Sequence, residues 1–343
     1  MIFGDFLQIS AKEIDIEIER FFNSWSKDVE HISGRLLPFV DALEDACSGG
    51  KRIRGALVKL GYEMLGGKSE EILKVASAVE IFQTAILSHD DIIDKSQMRR
   101  GKKSLYARLG GDHGGVSKAI CLGDIGYFLA FRIIAESCFE EKQKSRVMRI
   151  FSKMTLETAV GELLDVELTG KDDGNNSFFE KEIVGVYEYK TAHYTITGPL
   201  MIGAVLGGAS EEQVDTIRIF GRNLGIAFQI QDDINDIFSE RKVLGKESGG
   251  DIREGKKTLL YWYAREHADE NGREILKKCF GNSEISEEGI GKIAQVFEKS
   301  GALRYAKGQA EKYAVSAREV IGVISKDAFY RDMFLGMTEY FLR

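Results

Sequence analysis

Two acidic clusters stand out by residue type and spacing: His89-Asp90-Asp91-Ile92-Ile93-Asp94 and, far downstream, Gln231-Asp232-Asp233-Ile234-Asn235-Asp236. Both have the form Asp-Asp-x-x-Asp. In a helix, residues i and i+4 share a face, so Asp90 lies above Asp94 and Asp232 above Asp236, with Asp91 and Asp233 roughly 100° round. Carboxylates this close repel one another, and burying them unpaired is costly. Something cationic belongs between them. Oxygen-only donors suit a hard divalent ion such as Mg²⁺, which commonly also takes substrate phosphate oxygens. One such cluster alone reads best as a solvated helix face or cap. Two copies, each closing an apolar run and each followed by Lys, Arg and Gly, favour the metal.

Basic residues recur beside glycine. Ser48-Gly49-Gly50-Lys51-Arg52-Ile53-Arg54-Gly55 precedes a helix, whose start leaves backbone N–H groups for an anion, and Lys51 and Arg54 are three apart. Taken alone, this stretch is equally well an ordinary charged loop. Lys95, Arg99, Arg100, Lys102 and Lys103 follow the first acidic cluster directly. An acidic and a basic cluster side by side suit a polyanion held partly by metal and partly by guanidinium. The stretch from Gly245 to Thr258 is rich in Gly and Lys, lacks the GxxxxGK[ST] spacing of a P-loop, and reads as a phosphate-binding flap. The five histidines have no metal-ligand spacing, and His89 reads as a hydrogen-bonding neighbour of the acids.

The elements that position these residues read as helical almost end to end. Amphipathic helices are expected over 11–34 (Ile14, Ile16, Ile18, Phe21, Phe22 and Trp25 on or near one side), 36–47, 70–94, 116–138, 142–169, 178–208 and 211–237, with more over 259–343. Pro199 predicts a kink or break, and a kink turns Lys190 and Thr191 out of regular packing. The chain has 343 residues but only two prolines and no linker, so one all-α domain, 1–343, is expected. Lys plus Arg is 47 and Asp plus Glu is 54, a formal charge of −7, which argues against a general nucleic-acid binder. Four scattered cysteines without a CxxC pair read as free thiols of a reducing compartment. The N-terminus lacks a signal-peptide pattern, and the longest apolar run, 195–208, is too short to span a bilayer, so a soluble cytoplasmic protein is expected.

Together these residues resemble a family, the head-to-tail trans-prenyltransferases or isoprenyl diphosphate synthases, of geranylgeranyl diphosphate synthase type. The resemblance runs from about Gly49 to Thr258 on GGKRIRG, DDIIDKSQMRRG, YKTA, FQIQDDIND and GKESGGDIREGKKT, in the family's order. It implies a helical bundle of the isoprenoid synthase type around a central cavity, and a homodimer. It implies that Asp90, Asp91 and Asp94 bind Mg²⁺ from one wall, and Asp232 with Asp236 from the facing wall. Three Mg²⁺ would bridge to an allylic diphosphate. Asp233 would orient metal waters and a basic partner. Arg99, Lys190, Lys246 and Lys256 would hold the allylic diphosphate; Lys51, Arg54, Gln83 and Arg100 would hold isopentenyl diphosphate. Thr191 and Gln229 would turn oxygen dipoles to the allylic cation. Two positions depart from the family pattern: Gln83 stands where His is frequent, and Glu162 where Gln is usual.

The resemblance also implies that the growing tail runs beside helix 70–94, with Phe82, Ala85 and Ile86 forming the chain-length wall. A helical turn of ~5.4 Å is about one isoprene unit. Small Ala85 leaves one storey open and Phe82 closes the next, so the expected product is C20 or C25. Farnesyl or longer polyprenyl synthases are alternatives on the same chemistry. A non-catalytic subunit of a heteromeric synthase tends to lose one aspartate cluster. A terpene cyclase mixes Asn, Ser and Glu in its second motif. An all-helical scaffold leaves the paired acids and bases unexplained.

Overall fold

The computed structural model describes residues 2–169, 179–239 and 249–342. It is all-α apart from a two-stranded hairpin, Met98–Arg99 with Lys102–Lys103. The chain folds into two compact units, one of Met1–Phe151 with Pro199–Val214, the other of Ser152–Gly198 with Asp215–Arg343.

In the first unit, α1 (Ile2–Ile32) buries Phe3, Leu7, Ile14, Ile18 and Phe22 at helical spacing. Ile16, expected on or near that side, is 58% exposed. It lies two residues from Ile14 and Ile18, and so about 200° round the helix. Pro38 sits in the first turn of α2 (Leu37–Cys47), where its missing N–H costs nothing. After α3 (Ile53–Glu63) comes α4 (Ile72–Ile93), the middle of the unit, with α1, α3 and α6 (His113–Glu136) packed round it. Its buried positions, from Val75, Ala78 and Val79 to Ile81, Phe82 and Ala85, face all sides, as a helix surrounded by others requires. Asp112 caps α6 by accepting from Gly115 N at 2.8 Å. α5 is the short turn Leu105–Arg108, and α7 (Glu141–Leu168) contributes its first residues here. Helix α9 (Gly198–Leu206) lies on α3 almost backbone to backbone: a Cβ on Gly203 would stand 1.9 Å from Val58 O.

In the second unit the expected helix 178–208 is interrupted. α8 (Glu180–Val186) passes into an 11-residue π-helix, Tyr187–Thr197, before α9 begins at Gly198. Pro199 therefore opens a helix instead of kinking one, and the irregularity lies just upstream. The widened turns fit because small residues face them. A Cβ on Gly225 of α10 (Glu211–Phe238) would stand 2.5 Å from Ala192 Cα, and one on Gly161 of α7 would stand 2.3 Å from Lys190 N. The C-terminal helices from Gly250–Glu254 to Ala328–Phe341 complete this unit; several start at side-chain caps, including Thr258, Asp269 and Ser286. The four cysteines are free thiols. Among the described residues no helix is long and apolar enough to cross a membrane.

Candidate active site

The first acidic cluster closes α4. Asp94 is the C-cap residue, its N–H reaching Asp90 O at 2.8 Å, so two carboxylates sit at a helix end whose dipole disfavours them. Asp90 and Asp94 stay partly exposed, while Asp91 is turned inward and buried. Arg99 answers both neighbours: Nε donates to Asp91 Oδ1 at 2.6 Å and Nη2 to Asp90 Oδ2 at 2.8 Å. Burial pushes the Asp91 carboxyl up to about 6; Arg99 pulls it down, and Asp90 and Asp94 push it further up.

Beside it, Arg100 and Gly101 take φ values of 51° and 75° and turn the hairpin. Arg100 Nη1 donates to Gly49 O at 2.9 Å, and a Cβ on Gly50 would stand 2.9 Å from that nitrogen, so glycine lets the guanidinium in. Burial draws the pKa of Arg100 down; Arg52, Arg54 and Arg99 act in the same direction and Glu80 opposes them. Arg52, also at positive φ, is buried and spent on structure: its Nε donates to Asp15 Oδ1 at 2.6 Å and its Nη1 lies 3.8 Å from Glu80 Oε2. Lys51 is exposed and Arg54 partly buried in the first turn of α3. Buried Gln83 has an Oε1 with no hydrogen-bond partner among the described residues. Its amide can turn over with little change of shape and offer N–H to an anion. A cleft of about 210 Å³ opens here, lined by Gly49, Gly50, Asp91, Arg99, Arg100 and Lys102 among others.

Of the expected chain-length wall, Phe82 is fully buried, with Tyr127 of α6 at 5.6 Å and Phe151 of α7 at 5.0 Å between ring centroids. Phe131 stands against Phe151 at 4.8 Å, so the wall is an aromatic group and not one ring. Ala85 packs at the crossing with α6, where a Cβ on Gly126 would stand 3.0 Å from Ala85 Cβ. Ile86 is half-buried.

The second cluster lies inside α10, which runs on to Phe238. Asp232 is exposed; Asp236 is buried and its Oδ2 accepts from Asp251 N at 3.1 Å. Asp233 is buried and has no basic partner among the described residues. It accepts from the Tyr187 hydroxyl on one oxygen and from Gln229 Nε2 on the other, the latter at 2.9 Å. Burial raises its pKa, the two hydrogen bonds lower it, and Asp232 and Asp236 raise it. Gln229 Oε1 accepts from the Thr191 hydroxyl at 2.8 Å. Lys190 Nζ donates to Asp165 Oδ2 at 2.6 Å and lies 2.9 Å from Glu162 Oε2. Lys256 pairs with Glu254 at 2.8 Å. Of the expected flap, Gly245, Lys246, Glu247 and Ser248 fall outside the described residues.

Sequence reasoning missed Tyr187, Asp165 and Glu254. Asp165 was findable as the residue three after Glu162 on one helix face; nothing in the sequence marks the Tyr187 hydroxyl.

Among the described residues, no three or more His, Cys, Asp or Glu side chains gather closely enough to close round a metal unaided. The donors present nevertheless fit Mg²⁺, which is usually held by one or two carboxylates while water and substrate phosphate fill the remaining positions. Each cluster offers carboxylate oxygens of this kind.

A family model described as polyprenyl synthetase matches residues 38–298. The geranylgeranyl diphosphate synthase of Sulfolobus acidocaldarius is 32% identical over 280 residues, 81% of this chain and 82% of that protein. The geranylfarnesyl diphosphate synthase of Aeropyrum pernix is 32% identical over 322 residues, 91% and 93% of the two chains. Among solved structures, the geranylgeranyl pyrophosphate synthase of Corynebacterium glutamicum complexed with isoprenyl diphosphate and magnesium superposes with a TM-score of 0.90. It is 25% identical and covers 99% of both chains.

Proposed function

The chain belongs to the polyprenyl synthetase family and is a prenyltransferase, and on that premise we propose that it condenses an allylic diphosphate with isopentenyl diphosphate to a C20 or C25 product. The observation that carries the reading is where the cations rest. Three basic residues assigned to the allylic diphosphate are each paired with acids: Arg99 with Asp90 and Asp91, Lys190 with Asp165 and Glu162, Lys256 with Glu254. A diphosphate exchanges for those carboxylates, so the site is held together electrostatically before substrate enters.

In this reading Asp90, Asp91 and Asp94, with Asp232 and Asp236, would hold divalent ions, three Mg²⁺ per site. Bound divalent ions would neutralise the leaving diphosphate. Arg99 turns from Asp90 and Asp91 to the allylic diphosphate. Lys190 and Lys256, with Lys246, make the same exchange. The C–O bond then breaks heterolytically, and the electron pair leaves with the diphosphate. Thr191 and Gln229 direct oxygen dipoles at the allylic cation. Lys51, Arg54, Gln83 and Arg100 hold isopentenyl diphosphate with its double bond towards that cation. The new C–C bond forms, and the released diphosphate takes the proton.

Three further assignments belong to this proposal. Phe82, Ala85 and Ile86 bound the tail, as their burial and the aromatic group behind Phe82 support. The chain is a homodimer, since α7 exposes Leu156, Val160 and Leu163 at helical spacing, an apolar stripe fit for a second copy. It works in the cytoplasm, in keeping with its free thiols.

The test is incubation with isopentenyl diphosphate plus dimethylallyl, geranyl or farnesyl diphosphate and Mg²⁺, with products sized by chromatography. C20 or C25 should accumulate, and Phe82→Ala should lengthen it. A purely C10 product, or one of C35 and above, contradicts the reading.

A further inference from the structure

One buried hydroxyl joins the three stretches of the second unit that carry residues assigned above to the diphosphate. Tyr187 is only 4% exposed and opens the π-helix, three residues before Lys190 and four before Thr191. Its hydroxyl donates to Asp233 Oδ2, next to Asp232 in α10. The same oxygen accepts from the Leu259 backbone N–H at 2.9 Å, three residues past Lys256. Asp233 Oδ1 continues the chain through Gln229, at 2.9 Å, to the Thr191 hydroxyl, at 2.8 Å.

A phenol suits the position. Its oxygen donates and accepts at once, and the ring has few rotamers to lose. Among the described residues Asp233 has two neutral donors, so loss of one leaves a buried carboxylate short of a partner, the expensive kind of deletion. Burial first, then Asp233, raises the Tyr187 pKa well above its ordinary value, so the hydroxyl keeps its proton and remains a donor. A ring that merely filled the core at this place would need no hydroxyl.

We propose that Tyr187 is a positioning residue whose hydroxyl sets Asp232, the Lys190–Thr191 stretch and the Lys256 stretch in register. The inference rests on the assignment of those residues to the diphosphate.

Tyr187→Phe in the full chain removes the hydroxyl and keeps the ring. The Leu259 amide should then exchange hydrogen about tenfold faster, because its acceptor is gone. KM for the allylic diphosphate should rise about tenfold and kcat fall, while KM for isopentenyl diphosphate, assigned to residues of the first unit, stays within about twofold. Adding Asp233→Asn should recover part of the loss, since the unpartnered charge disappears. Should Tyr187→Phe fail to fold, Asp233→Asn keeps the shape and the Tyr187 acceptor, so Leu259 exchange should stay within about twofold while the allylic KM rises severalfold, and an unchanged allylic KM would overturn the proposal. A lowered melting temperature with unchanged Leu259 exchange and unchanged allylic KM would overturn the proposal, as would an equal rise in both KM values. The exchange measurement needs no turnover. It reads the hydroxyl's role even if the wild-type chain condenses none of the substrates tested, a result that would sink the assignment of function instead.

Discussion

The two Asp-Asp-x-x-Asp motifs are alike in sequence, yet the structure solves the same electrostatic problem twice in different ways. At the end of α4 the middle carboxylate, Asp91, faces inward and is matched by a cation, Arg99. Inside α10 the middle carboxylate, Asp233, also faces inward but is matched by two neutral donors, Tyr187 and Gln229. The outer acids differ too. Asp94 caps its helix and is partly exposed, whereas Asp236 sits within its helix, buried beneath Asp251 N. The lesson concerns what each motif can release. In the proposed reading, the ion pair with Arg99 is the one that opens to a diphosphate. Among the described residues, the donors to Asp233 are neutral, and such a network serves as a frame.

The sharpest break of this contrast is Arg99→Gln. It leaves Asp91 buried without its cation and takes one proposed diphosphate ligand away. Because Arg99 is about a third exposed, the stability loss should be ~2 kcal/mol, below the usual cost of opening a fully buried pair. The allylic kcat/KM should fall about a hundredfold. Denaturant melts and steady-state kinetics check both, and a loss confined to stability would contradict the exchange role of Arg99.

A smaller effect separates the middle acids. Asp233→Asn should cost about 1 kcal/mol or less at pH 7, because both donors can still reach an amide oxygen or accept from its N–H. Asp91→Asn should cost more, because it takes a charge from Arg99. If the order is reversed in the metal-free protein, the neutral network is not the milder of the two.

The smallest effect is a slope. The Asp91 pKa is raised in the folded state to about 6 from its ordinary 3.8, so the folded state holds this proton more tightly than the unfolded chain. Its contribution is fully present below the lower value and is lost as pH rises through the upper one. Metal-free wild type should therefore lose stability between about pH 4 and 6, and Asp91→Asn should lose less across that window. Equal slopes from equilibrium denaturation would put the burial of Asp91 in doubt.

Much of this was legible from residue spacing alone. The helices ending in Asp90–Asp94 and Asp232–Asp236 follow from apolar periodicity, and their boundaries fall within a few residues of expectation. The π-helix was not legible. Pro199 signals an irregularity near Lys190 and Thr191 but not its form, since the wide turns depend on Gly161 and Gly225, which come from distant parts of the chain. The partners of the basic residues were hidden for the same reason. Nothing local says that Lys190 will meet Asp165, or that a tyrosine will answer an aspartate 46 positions away. Periodicity reports which face of an element is covered; it does not report which polar groups the covering brings together.

The central claim is that each of the two motifs is needed for Mg²⁺-dependent condensation, and one substitution in each tests it most directly. Asp90→Asn and Asp232→Asn should each lower that condensation by about a thousandfold. Turnover that survives either substitution, or removal of the metal by chelation, would contradict it.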